Sequence, residues 1–317
     1  MRDMRTLTRS VNAELMAEAL KGLGSMPKRM SPKWFYDEAG SALFEEITRL
    51  PEYYPTRTEV AILGTRTETL AAHVPDGAAL CELGSGASIK SRLLLDAVPR
   101  LGAYVPVDIS EEFLLSACGR IAEDYTDLEV VPVAGDFTRP LDFPASVETM
   151  EKAAFFPGST LGNLGEAEAS ALLQRVRGWS GIRAFILGVD LVKDEDILVR
   201  AYDDSAGVTA AFNGNLLHRL NREADAEFDP DAFAHRAVWN AACERIEMHL
   251  VSRAAQQVRL GEAMIAFEAD ETIHTESSRK YTPERIRELA MRTGWQVEEF
   301  LTDDRDHFAV VVMVPND

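Results

Sequence analysis

Cysteine is scarce in this chain. Its 317 residues hold three, Cys81, Cys118 and Cys243, scattered and with no C-x-x-C spacing. That argues against a disulfide scaffold or a thiolate zinc site and fits a reduced compartment. No apolar run approaches the length of a membrane span, and the opening MRDMRTLTRSVNAELMAEAL lacks a signal-peptide core. Positive charge is in deficit: 33 Lys and Arg face 52 Asp and Glu, a net −19. Such a surface repels phosphate backbones and anionic lipid, so neither nucleic acid nor membrane is an expected partner, whereas a cationic ligand is tolerated. The six histidines, His73, His218, His235, His249, His274 and His307, show no ligand spacing such as H-E-x-x-H. They read as surface or structural residues, and no metal is expected. Repeats, low-complexity tracts and long linkers are also missing. A cytoplasmic protein with no obligate protein partner is the expectation.

What is present is core-forming material, 46% hydrophobic, ample for one large domain or two modest ones. The centre alternates short apolar runs with helical periods, as in an α/β sheet. GAALCEL (Gly77–Leu83), AYVPVDI (Ala103–Ile109), LEVVPVAGDF (Leu128–Phe137), KAAFFPG (Lys152–Gly158) and RAFILGVDLV read as strands, and SIKSRLLLDAV, SEEFLLSACGRIAEDY and EAEASALLQRVRGW as helices. A helix from about Thr282 leads to a last hairpin, WQVEEFLT and HFAVVVMV. Between about Ile197 and Ser278 a helix pair passes into runs of period two, which read as an inserted antiparallel sheet. The expected division is an α/β domain of residues 60–195 plus 282–317 and a second, α+β lobe of 10–59 plus 196–281.

CELGSGASIK (Cys81–Lys90) follows a strand and opens a helix. Glycines at 84 and 86 permit positive φ and close backbone approach, and the helix start adds N–H donors. The motif is not G-x-G-x-x-G, since residue 89 is Ile, and a plain βα turn is the alternative. Asp108 ends the next strand, where an acid accepts ribose hydroxyls in this architecture. Asp136 and Phe137 end the third, suited to an adenine amino group and ring face. A glycine turn, an acid and an Asp-aromatic pair at successive strand ends is the layout expected for S-adenosylmethionine. Lys90 reads either as a point charge for the cofactor's carboxylate or as a solvated helix-face lysine.

Several strings resemble the histidine Nα-methyltransferases of ergothioneine biosynthesis: PKWFYDEAGSALFEEITRLPEYYPTRTE (Pro32–Glu59), ELGSGASIKSRLLLDA, FFPGSTLGNL (Phe155–Leu164), GVDLVKD (Gly188–Asp194), AYDDSAGVTAAFN (Ala201–Asn213), RIEMHLVSR (Arg245–Arg253) and IHTESSRKY (Ile273–Tyr281). The resemblance runs from about Leu20 to the C-terminus. It implies a Rossmann-like class I methyltransferase domain with a substrate lobe. The implied reaction is transfer of three methyl groups from S-adenosylmethionine to the α-amine of L-histidine, giving hercynine and S-adenosylhomocysteine. By motif match, Tyr53, Asn163 and Tyr202 hold the amine and carboxylate. Met248, Glu276 and Ser278 surround the imidazole, with Tyr36 near the same pocket. Gly84, Lys90, Asp108, Asp136 and Phe137 carry the cofactor.

Each residue also has a plainer reading. Tyr53 packs under a turn, Tyr202 lies on a helix face, Asn163 caps the helix beginning near Gly165, and Met248 is a core residue. Two positions depart from the family pattern: Leu164, where an aromatic is common, and Gly214, where a bulkier residue is usual. The wider family includes enzymes acting on tryptophan derivatives, so methylation of another aromatic amino acid, or ligand binding without catalysis, are the alternatives. Glu276 and Ser278 separate them. Two apart on a strand, they share a face and offer a carboxylate and a hydroxyl, which suit the two ring nitrogens of imidazole. An indole or phenol leaves that pair poorly satisfied. Glu276 can accept from a ring N–H, and Ser278 can donate or accept at the other nitrogen.

Overall fold

Five strands of the α/β pattern lie side by side and parallel, in the order Ile182–Asp190, Lys152–Phe156, Ala79–Leu83, Ala103–Asp108, Glu129–Val130. The computed structural model describes residues 11–86, 89–98 and 100–316. Phe308–Pro315 joins antiparallel to Ile182–Asp190 and pairs in turn with Trp295–Thr302, the hairpin expected at the end of the chain. Ala79–Leu83 and Lys152–Phe156 are buried along their whole length. Burial on both faces is what continuous apolar runs predict for a parallel sheet. From Ala79–Leu83 the chain first builds outward to Ala103–Asp108, then returns to build on the other side through Lys152–Phe156. The order reverses there, and in doubly wound folds ligands bind at the carboxyl ends of strands flanking such a point. This is the Rossmann-like arrangement.

Period-two alternation divides the core of this sheet. Phe185, Leu187 and Val189 pack on one face with Leu172, Leu173 and Trp295. Ala184 and Ile186 go to the other with Leu80, Tyr104, Phe155 and Leu94. One expected strand is corrected: Leu128–Phe137 is broken into Glu129–Val130 and Val133–Ala134. Pro132 lies between them, and its missing N–H removes a rung of the ladder.

The chain divides into two compact units. One comprises Pro55–Lys193 and the chain from Ser278 onward, and holds the sheet just described. The other comprises the chain up to Tyr54 with Asp194–Ser277. In the latter, Phe233–Asn240 and Arg245–Ser252 form an antiparallel pair, with Thr272–Arg279 alongside and Lys28–Arg29 at the edge. The expectation of one antiparallel insertion is corrected in two respects. Lys28–Arg29 pairs with Thr272–Arg279 in parallel. Gln256–Leu260 and Ala263–Phe267 form a separate hairpin, folded back at Gly261, which buries Val258, Leu260, Ile265 and Phe267 in the core of this unit. The helices Ala13–Leu23 and Val208–Glu223 contribute Leu15, Leu23, Leu216, Leu217 and Leu220 to the same core.

Among the described residues no helix is long and apolar enough to cross a membrane.

Candidate active site

Strand Ala79–Leu83 ends in the glycine turn. Gly84 and Gly86 both have positive φ, +67° and +49°, which a residue with a Cβ rarely adopts. The turn is clamped to the next strand: the Gly84 and Ser85 N–H groups donate to the Val107 carbonyl at 2.9 and 3.2 Å. Asp108 completes the clamp, accepting from Gly86 N–H at 3.2 Å and from Ser110 N–H at 3.0 Å, one oxygen for each. Each carboxylate oxygen keeps a second acceptor site for a ligand. Phe137 places its ring edge 3.6 Å from where a side chain on Gly84 would begin, and it stacks edge-on against Phe156. Asp136 lies two residues beyond Val133–Ala134 rather than at a strand end, and accepts from the Thr138 N–H and hydroxyl at 2.8 and 2.6 Å. Among the described residues, Ser85 Oγ, inside this turn, is buried and has no hydrogen-bond partner. A buried polar atom without a partner at a glycine turn is what a polar ligand would satisfy. The turn, Asp108 and the Phe137 ring therefore fit a nucleoside cofactor.

Two acids beneath the turn were not anticipated. Glu82 is buried and receives hydrogen bonds from the hydroxyls of Ser91 and Tyr104. Burial outweighs those bonds and pushes its carboxyl up to about 7. Glu59 has no exposed surface, and its two oxygens accept the Gly158 N–H at 3.0 and 2.9 Å. It also pairs with Lys90, whose Nζ lies 2.5 Å from Oε2. Gly188 is glycine for this reason: a Cβ there would sit 2.0 Å from Glu59 Oε1. Neither acid carries a local signal, since an acid in "CEL" or "RTE" reads as an ordinary solvated residue.

In the other unit, aromatic rings cluster. Tyr53 and Tyr202 meet at 6.2 Å between centroids, edge to face, and Phe44 contacts both Tyr53 (6.3 Å) and Tyr36 (5.6 Å). Phe212 lies 5.7 Å from Tyr36. The structure thus brings Tyr36, Tyr53 and Tyr202 together and adds Phe44 and Phe212. Tyr202 closes the helix Glu195–Tyr202, and its backbone carbonyl accepts from His235 Nε2–H at 2.8 Å. His235 Nδ1 is then an acceptor, served by Asn213 Nδ2 at 2.9 Å. The wholly buried Asn213 also donates to the His249 carbonyl at 3.1 Å and lies 2.8 Å from Thr275 Oγ1, which is 3.0 Å from the Met248 carbonyl. Burial holds the His235 ring below the usual histidine range, and this arrangement of donors requires it neutral.

Met248 is 2% exposed, a wall residue on Arg245–Ser252. On Thr272–Arg279, Glu276 and Ser278 are both buried, and Ser277 between them is less so. Ser278 Oγ accepts from Lys280 Nζ at 2.9 Å. Asn163 ends the short helical turn Thr160–Asn163. It is not the cap of the next helix: Gly165 takes that place, and Glu168 reaches back to its N–H at 2.8 Å. The turn packs against Arg279, whose carbonyl lies 2.6 Å from the Cβ position of Gly162. Leu164 packs into the sheet core, and Gly214 faces open space.

A family model described as "Histidine-specific methyltransferase, SAM-dependent" matches residues 15–315. The histidine N-alpha-methyltransferase of Mycolicibacterium smegmatis is 44% identical, covering 98% of this chain and 99% of its own. That of Mycobacterium tuberculosis is 41% identical over 93% of each. Ergothioneine biosynthesis protein 1 of Neurospora crassa is 28% identical over 69% of this chain and 26% of its own length.

Proposed function

This chain belongs to the S-adenosylmethionine-dependent, histidine-specific methyltransferases, and we infer from that membership that it methylates the α-amine of L-histidine to hercynine. The observation that carries the reading is the full-length similarity to histidine N-alpha-methyltransferases. The buried pair Glu276 and Ser278 on one strand supports it.

S-adenosylmethionine, when bound, supplies a methyl group on a cationic sulfur. Gly84 lets the backbone approach it, Asp108 takes the ribose hydroxyls, Asp136 and Phe137 the adenine, and Lys90 faces its carboxylate. The amine attacks only as the free base, so orientation and exclusion of water are the enzyme's main tasks. Tyr53, Asn163 and Tyr202 hold the amine and carboxylate with neutral groups. A carboxylate in their place would favour the protonated amine. The ring cluster of Tyr36, Phe44, Tyr53 and Tyr202 suits a head that becomes quaternary, through attraction of the cation to aromatic faces. Glu276 and Ser278 bind the ring nitrogens and Met248 walls the ring. Apart from Asn163, the residue roles divide as residues 60–195 plus 282–317 for cofactor and 10–59 plus 196–281 for substrate. Cysteine usage supports a cytoplasmic setting.

Incubation of the purified protein with S-adenosylmethionine and individual amino acids, read by mass spectrometry, tests this. The expected product is histidine carrying three added methyl groups. Product from tryptophan or tyrosine and none from histidine would overturn it.

A further inference from the structure

Ser85 sits between the two glycines of positive φ, Gly84 and Gly86, and is only 5% exposed. A serine hydroxyl usually finds a nearby carbonyl or carboxylate by rotating about one bond. Here the acceptors beside it are engaged. The Val107 carbonyl takes the Gly84 and Ser85 N–H groups, and the Asp108 oxygens take those of Gly86 and Ser110. Among the described residues, no partner lies within reach of Ser85 Oγ. Ser91, on the helix that follows, is the contrast. It is wholly buried as well, and its hydroxyl donates to Glu82. A serine that serves the fold is satisfied by the fold, whereas Ser85 costs stability that alanine would not.

Lys90 lies five residues on, and its charge is already matched inside the protein. Its Nζ is 2.5 Å from Oε2 of Glu59, which has no exposed surface. An anion arriving at Lys90 therefore meets a pair of no net charge and needs a further donor. Ser85 has an O–H for which no protein acid competes. We propose that the Ser85 hydroxyl is the donor reserved for the carboxylate at the amino-acid end of the cofactor, so that this turn selects ligands carrying that carboxylate over adenosine derivatives without it.

This rests on the reading above, in which the turn holds S-adenosylmethionine. Ribose hydroxyls bring hydrogens of their own and are matched by an acceptor, Asp108. The carboxylate brings only lone pairs, so it is the part of the cofactor that a lone O–H complements, and the bond to it is charge-assisted.

Calorimetry with two ligands tests the assignment. Ser85→Ala is expected to weaken S-adenosylhomocysteine about tenfold. Affinity for its decarboxylated analogue, S-adenosyl-3-thiopropylamine, is expected to stay within twofold; displacement of S-adenosylhomocysteine extends that measurement to weak binding. Ser85→Cys, close in size but a poor donor, is expected to behave as Ser85→Ala does. Unchanged S-adenosylhomocysteine affinity, or equal losses for the two ligands, overturns the inference and leaves the functional reading intact. A wild-type protein that binds no S-adenosylhomocysteine overturns the functional reading, and this inference with it.

The melting temperature of the ligand-free protein separates reserve from scaffold. Deleting an unsatisfied buried hydroxyl is expected to leave it unchanged or to raise it by about 1–3 °C. A fall of several degrees in both Ser85→Ala and Ser85→Cys would mean that the hydroxyl serves the turn itself, and overturns the assignment whatever the analogue's affinity.

Discussion

Glu59 and Lys90 are joined across a buried contact of 2.5 Å, and the same carboxylate carries the backbone of Gly158. Lys90 is not a free helix-face lysine: its position is set by an acid 31 residues earlier. Removing one partner of a buried ion pair costs roughly 3–5 kcal/mol, and Lys90 keeps some exposure, so the lower end applies. Glu59→Gln is expected to weaken S-adenosylhomocysteine binding about tenfold in calorimetry and to lower the melting temperature. Gly188→Ala drives a methyl into Glu59 and is expected to cost about 1–3 kcal/mol in denaturant unfolding.

Tyr53 and Tyr202 share a ring contact, and replacing either by Phe keeps that contact while deleting a hydroxyl. A lost hydrogen bond is worth about 1 kcal/mol, more toward a charged group. Each substitution is expected to raise the histidine KM about fivefold to tenfold. Cofactor affinity, measured separately, is expected to stay within twofold. Equal losses for both ligands would remove these tyrosines from the amino-acid site.

Glu276→Ala is expected to reduce histidine turnover and to narrow the ratio between histidine and ring analogues lacking an N–H. Competition assays with mixed amino acids measure that ratio. A collapse of cofactor binding instead would show that Glu276 does not face the ring.

The His235 pKa is lowered in the folded protein, chiefly by burial. The unfolded chain, with a pKa of about 6.5, therefore takes up the proton first as pH falls. Its contribution is complete above that value and is lost as pH drops through 6.5 toward the folded pKa. His249 and His274 are lowered the same way, also chiefly by burial, and add to the slope. His235→Gln is expected to flatten the pH dependence of unfolding free energy between about pH 5 and 7, in denaturant titrations at several pH values.

The sheet was readable because its buried strands are continuous apolar runs, and its glycine turn because only a few residues tolerate positive φ. Pro132 was visible too, yet the apolar residues around it suggested one strand where there are two. Glu59, Glu82 and Lys280 were not readable as buried. Each looks solvated among its neighbours in sequence, and its burial depends on a partner brought in by the fold: Gly158 for Glu59, Tyr104 for Glu82 and Asp190 for Lys280. Phe44 and Phe212 were similarly indistinct, since an aromatic on a helix gives no sign of whether it meets a core or a ligand.

Thr275 points opposite to Glu276 and is fastened by Asn213 and the Met248 carbonyl. The strand is thus bolted down on one side and carries on the other Glu276 and Ser278, the groups proposed to read the substrate ring. Substitutions at 276 and 278 leave the Thr275 anchor itself untouched. Divergence toward new amino acids then has a short mutational path, two alternate codons on one strand, with the Thr275 anchor and the methyl-donor machinery carried through unchanged.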